Sequence, residues 1–199
     1  MKKLLAAFLI LMLLIPAAIA EPEEFRLRDG ITWSSTPDEV EAIVGEVSFS
    51  GEAGDCLVQV YSNIPFGNCS GDFHAWFVGH YNQLILMTYD LVDFPADQTL
   101  EEAAADLKAG LDSKYTPITY EPSTLVKLLN GYSRLRRLDE DHIYSEDELP
   151  REFSRWIAPD GTEIYMGYIG ESYWQILYFN ISGIEDLLAL MDTPNTNGL

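Results

Sequence analysis

From Thr36 onward the apolar residues switch repeatedly between two spacings, and the switches divide the chain into elements. Val40, Ile43 and Val44 sit at helical spacing inside TPDEVEAIVG. Thr36 is placed as N-cap, Pro37 suits the first helical position, where no N–H is needed, and Glu39 closes a capping box. Gly45 reads as a left-handed C-cap. A helix this short is unstable alone, so its apolar stripe must lie on something. The next three runs are strand-like: Leu57 to Asn63, Phe73 to Val78 and Gln83 to Leu91, separated by IPFGNCSGD and GHYN, whose turn residues predict antiparallel hairpins. In the third run strict alternation puts Leu84, Leu86 and Thr88 on one side and Ile85, Met87, Tyr89 and Leu91 on the other. Neither side is polar, so the sheet is covered on both sides or presents an aromatic-rich face to a partner.

The same order then recurs. Thr99 and Glu102 form a second capping box ahead of the stripe Leu100, Ala103, Ala104, Leu107 and Leu111. A short helix is predicted from Ser123 to Gly131. Three further strands are predicted at Phe153 to Ala158, Thr162 to Tyr168 and Tyr173 to Asn180, and a last helix from Ile184 to Met191, started by Ser182. The reading is an α+β domain with an antiparallel sheet of about six strands. Its α-βββ pattern repeats in kind over residues 30–93 and 97–181 without residue identity that would prove duplication. Within the second half, Leu138 to Glu152 carries two acidic triplets and reads as an exposed loop.

The residues before this pattern belong to another class. MKKLLAAFLILMLLIPAAIA has two lysines, an apolar run, Pro16 and the small-x-small ending Ala18-Ile19-Ala20, which together predict a secretory signal peptide cut after Ala20. Leu4 to Ala20 is 17 residues with a proline inside, at the lower limit for a span. No cysteine follows for lipid attachment. The remaining 179 residues of the 199 suffice for one domain over 21–199. All 32 acidic residues and ten of the 12 basic ones lie after residue 20, a mature charge of −22. Such a surface repels phosphate backbones and anionic membranes, so neither nucleic acid nor a membrane is an expected partner. With 47% hydrophobic residues, the chain is too apolar for an acidic disordered tail.

The stretch RDGITWSSTPDEVEAIVGE resembles the entry motif of SmpA/BamE-type envelope domains and of secreted β-lactamase-inhibitor-protein-like repeats. That resemblance implies helices packed on one face of the sheet and a role in binding other proteins without catalysis. The lipid-attachment cysteine of the first group is missing here.

Candidate chemistry is sparse. Cys56 and Cys69 are the two cysteines, an even count that favours a disulfide in an exported chain. Against it, a straight strand of ~3.3 Å per residue sets Cys56 ~23 Å from the hairpin end, so two thiols are the other reading. His74, His80 and His142 are too scattered for a metal site, and Asp139-x-Asp141 lacks the oxygen ligand and glycine of a calcium loop. Gly67-Asn68-Cys69-Ser70-Gly71 is turn chemistry, with no strand-to-helix elbow behind it. No cofactor and no catalytic residue is assigned. Core or hairpin packing is the expected use of most of the four tryptophans.

In the second strand Phe73, Ala75 and Phe77 suit a face covered by helices, which leaves His74 and Trp76 on an open face, with Trp76 as anchor for a protein or glycan. The expected function is an exported, non-catalytic binding module. The alternative is a glycan or peptide hydrolase whose carboxylates are assembled in space.

Overall fold

The computed structural model describes residues 30–53, 56–78, 83–135, 145, 149, 153–169 and 173–192. The leader, His80, His142 and the acidic triplets of 138–152 lie outside them. The described residues form four helices and one open antiparallel sheet of eight strands. The helices are α1 (Pro37–Val44), α2 (Leu100–Asp112), α3 (Pro122–Leu135) and α4 (Ile181–Asp192). None is long and apolar enough to cross a membrane.

The strands are β1 (Phe49–Ala53), β2 (Cys56–Phe66), β3 (Cys69–Val78), β4 (Gln83–Asp93), β5 (Thr116–Ile118), β6 (Phe153–Ile157), β7 (Glu163–Ile169) and β8 (Tyr173–Phe179). They lie in the order β1-β2-β3-β4-β8-β7-β6-β5, two meanders that meet through their last strands. Eight strands replace the expected six because both edges are short. β1 is five residues with Gly51 at its centre, which adds no side chain to the pattern, and β5 is three residues centred on Pro117, a residue tolerated only at an edge. The segment IPFGNCSGD is mostly strand, since β2 and β3 continue to the pair Phe66 and Cys69 around a two-residue turn. Gly67 opens that turn at φ 63°, as a type II′ hairpin requires.

Helices cover both faces, which corrects the one-face expectation. On one face Val40 of α1 and Ala103, Leu107 and Leu111 of α2 pack on Phe73, Ala75, Phe77, Tyr89, Ile164 and Ile176. On the other, Leu125, Tyr132 and Leu135 of α3 and Ile184 and Leu187 of α4 pack on Ile85, Leu86, Tyr165, Leu177 and Phe179. A bulge opposite Trp76 and Phe77 inserts Ile85, so Leu84 joins Met87 and Tyr89 on the α1/α2 face while Ile85 joins Leu86 on the other.

Both capping boxes of the α1/α2 face form: Thr36 Oγ1 accepts from Glu39 N, and Thr99 Oγ1 accepts from Glu102 N. Gly45 lies at φ 120°, ψ −161°, an extended glycine conformation distinct from the left-handed cap expected of it. The cap of α4 is Asn180, whose Oδ1 accepts from Gly183 N at 2.9 Å while its Nδ2 donates to Leu84 O. Ser182 lies inside the helix. The amino-terminal segment is tied to the second meander by Trp33, whose Nε1 donates to Thr162 Oγ1 at 2.7 Å.

Candidate functional site

The α1/α2 face holds a cleft of about 510 Å³, within the range of small-ligand sites. One end is the β2–β3 hairpin tip, Pro65 to Asn68. The sheet contributes Tyr89 of β4 and Tyr178 of β8, and α2 with its exit contributes Asp106, Leu107, Gly110, Leu111, Lys114 and Tyr115. Local sequence explains the frame. The capping box fixes where α2 starts, its apolar stripe presses it onto the sheet, and the tight turn at Gly67 lets the hairpin tip rise against Leu107.

Inside the cleft the aromatic groups touch one another. Phe66 and Tyr89 have ring centroids 4.6 Å apart, and Tyr89 meets Tyr178 edge to face at 6.5 Å. Burial, then the neighbouring Tyr115 and Tyr89, hold the Tyr178 phenol well above its ordinary range. Burial and Asp160 raise that of Tyr115. Close by, the Cys69 thiol is raised by burial and by Asp106. A thiol held protonated in this way is a poor nucleophile. At the mouth Asn68 Nδ2 donates to Gln98 Oε1, and Gln98 Nε2 donates to Asp106 Oδ2 at 2.8 Å. This chain orients the Asp106 carboxylate, whose Oδ1 takes no hydrogen bond among the described residues. The arrangement offers neutral phenols, one oriented carboxylate and the Lys114 ammonium, a set suited to holding a ligand.

Gly110 is the unusual member. It lies within α2, and a Cβ added there would meet nothing within 4 Å. Alanine would fit and would favour the helix by about 0.5–1 kcal/mol. Glycine keeps the wall of the cleft low at that cost.

The structure brings His74 and Trp76 together on the opposite face, with ring centroids 6.5 Å apart. Trp76, however, packs edge to face on Tyr132 of α3 at 5.6 Å, beneath a helix. His74 lies farther along β3, with Nε2 at 3.5 Å from Asp90 Oδ2, while Gln175 Nε2 donates to Asp90 Oδ1 at 2.8 Å. Phe73, Ala75 and Phe77 are fully buried, as their assignment to a covered face requires.

The expected disulfide is absent. Cys56 pairs with Val78 at one end of the hairpin and Cys69 with Phe66 at the other, ten strand residues or roughly 30 Å away. The two thiols also belong to clusters on opposite faces of the sheet. Among the tryptophans, Trp156 is core, its Nε1 donating to Asp112 Oδ1 at 2.8 Å. No group of three or more His, Cys, Asp or Glu placed to hold a metal occurs among the described residues. Compared with known proteins, the chain matches no family model, no curated protein and no solved structure.

Proposed function

We propose that this chain is a binding module that works outside the cytoplasm and takes a small molecule, or a protruding group of that size, into the cleft under α2. The observation that carries the reading is Gly110: a helix position with open space, where alanine would be the more stable choice, lines an aromatic recess large enough for such a ligand. The leader MKKLLAAFLILMLLIPAAIA supports a site of action beyond a membrane. This reading gives the anchoring role to the cleft aromatics in place of Trp76, whose ring packs against Tyr132 of α3.

The test is a protein-detected NMR screen of small ring-bearing compounds against the mature domain and its Gly110→Leu variant. Hits should move the amides of Gly67, Asn68 and Tyr115, and leucine at 110 should block them. Hits that bind both proteins alike, or that cluster around His74, would sink the proposal.

A further inference from the structure

We infer that the cleft selects an organic cation, a ring or chain with an apolar body and a positively charged amine or ammonium end. The inference rests on the cleft being the binding site and adds the charge of its ligand.

Three observations converge on it. First, the half-buried rings of Phe66 and Tyr115 border the cleft above the buried Tyr89 and Tyr178, and ring faces attract cations through their quadrupole, more so where water is excluded. Elsewhere on α2 the protein already makes this contact, with Lys108 Nζ 5.6 Å from the centroid of the Trp156 ring. Second, Asp106 stands at the mouth with one oxygen committed to Gln98 and the other unengaged among the described residues, so an incoming N–H or ammonium finds an oriented acceptor. Third, the whole chain carries a net charge of −20. The summed field raises the local concentration of cations at a recess with low-dielectric walls and lowers that of anions.

Among the described residues, Lys114 is the one cation that lines the cleft. It lies in the turn that follows α2, eight residues beyond Asp106 in the chain, and its side chain is exposed. Its positive charge opposes entry of a cation. This gives the inference a sign that two substitutions read in opposite directions. Asp106→Asn removes the charge while its amide oxygen still accepts from Gln98. Lys114→Ala removes the competing charge.

The experiment titrates three probes of similar shape, benzyltrimethylammonium, benzyl alcohol and phenylacetate, into the mature domain and into the Asp106→Asn, Lys114→Ala and Gly110→Leu variants, read by calorimetry and by amide shifts. Benzyltrimethylammonium should bind at least about tenfold more tightly than phenylacetate. Asp106→Asn should weaken the cation about fivefold and leave benzyl alcohol alone, as expected for a partly exposed charge pair. Lys114→Ala should hold or improve cation binding, and Gly110→Leu should remove it. If phenylacetate matches the cation, or Asp106→Asn changes nothing while Gly110→Leu still blocks all probes, the cation inference is overturned and the cleft reading stands. If Gly110→Leu blocks none of them, or no probe binds the unaltered domain, both fall.

Discussion

Each face of the sheet is covered by two helices, and each pair of helices contains one glycine beyond the first helical turn, yet the two glycines meet opposite surroundings. On α3 a Cβ at Gly131 would come within 3.3 Å of Leu188 Cδ1 and 3.4 Å of Ile184 Cγ2, so glycine lets α3 and α4 approach closely. On α2 a Cβ at Gly110 would meet open space beside the cleft. The same residue type closes one face and keeps the other open. The α3/α4 layer therefore acts as packing, and the α1/α2 layer acts as a frame around a recess.

That contrast breaks most severely where the frame itself is attacked. Val40 is fully buried under α1, and Val40→Asp places an unpaired charge in the α1/α2 core, at a cost of several kcal/mol. Urea denaturation should show the midpoint collapsing, and an unchanged midpoint would mean that α1 does not pack on the sheet. Next in size is Gly131→Leu, which overfills the α3–α4 contact and should lower stability by about 1–3 kcal/mol. Gly110→Ala should do the reverse and raise stability by about 0.5–1 kcal/mol through helix propensity alone. Equal signs for the two glycine variants in matched urea curves would erase the distinction between the faces.

A smaller effect is expected at the exit of α2. The hydrogen bond from Trp156 Nε1, then that from Lys108, holds the Asp112 carboxyl below the ordinary aspartate range. A depressed acid contributes its stability above its unfolded value and loses it as pH falls through the lower folded value. Asp112→Asn should thus be slightly less stable than the parent at neutral pH, with the gap closing in acid; a gap that widens in acid would reverse the assignment. The smallest response belongs to the thiols. With Cys56 and Cys69 on opposite faces, a reductant should shift neither the intact mass nor the urea midpoint. A gain of two hydrogens on reduction would contradict this arrangement.

How much the sequence disclosed depends on how local each signal is. The capping boxes at Thr36 and Thr99 and the stripes behind them are contained within a dozen residues, and both helices form at those positions. The strand runs around 57–63, 73–78 and 83–91 were legible through hydrophobicity, but their parity was not. One bulge moves Leu84 and Ile85 to the faces opposite those assigned by alternation. The edges β1 and β5 were missed because FSGEA and TPI carry little apolar patterning. Lack of a polar side in 83–91 left double coverage and an open aromatic face as equal alternatives, and the resemblance to one-faced domains favoured the second. The cleft was hidden for a different reason. Phe66, Tyr89, Tyr115 and Tyr178 become neighbours only through the pairing of β4 with β8 and the path of α2. Its one local trace is Gly110, a weak helix former in LEEAAADLKAGLD.

The pairing of β4 with β8 also governs when the molecule can be finished. Met87 lies opposite Tyr178, so the middle of the sheet joins segments about 90 residues apart in the chain. At the usual rates of synthesis of ~5–20 residues per second, β4 waits roughly 5 to 20 seconds with one edge bare before its partner is made. The closure of so distant a pair is slow in its own right. A sheet whose centre is supplied by its last strand cannot be closed until nearly the whole polypeptide has been made.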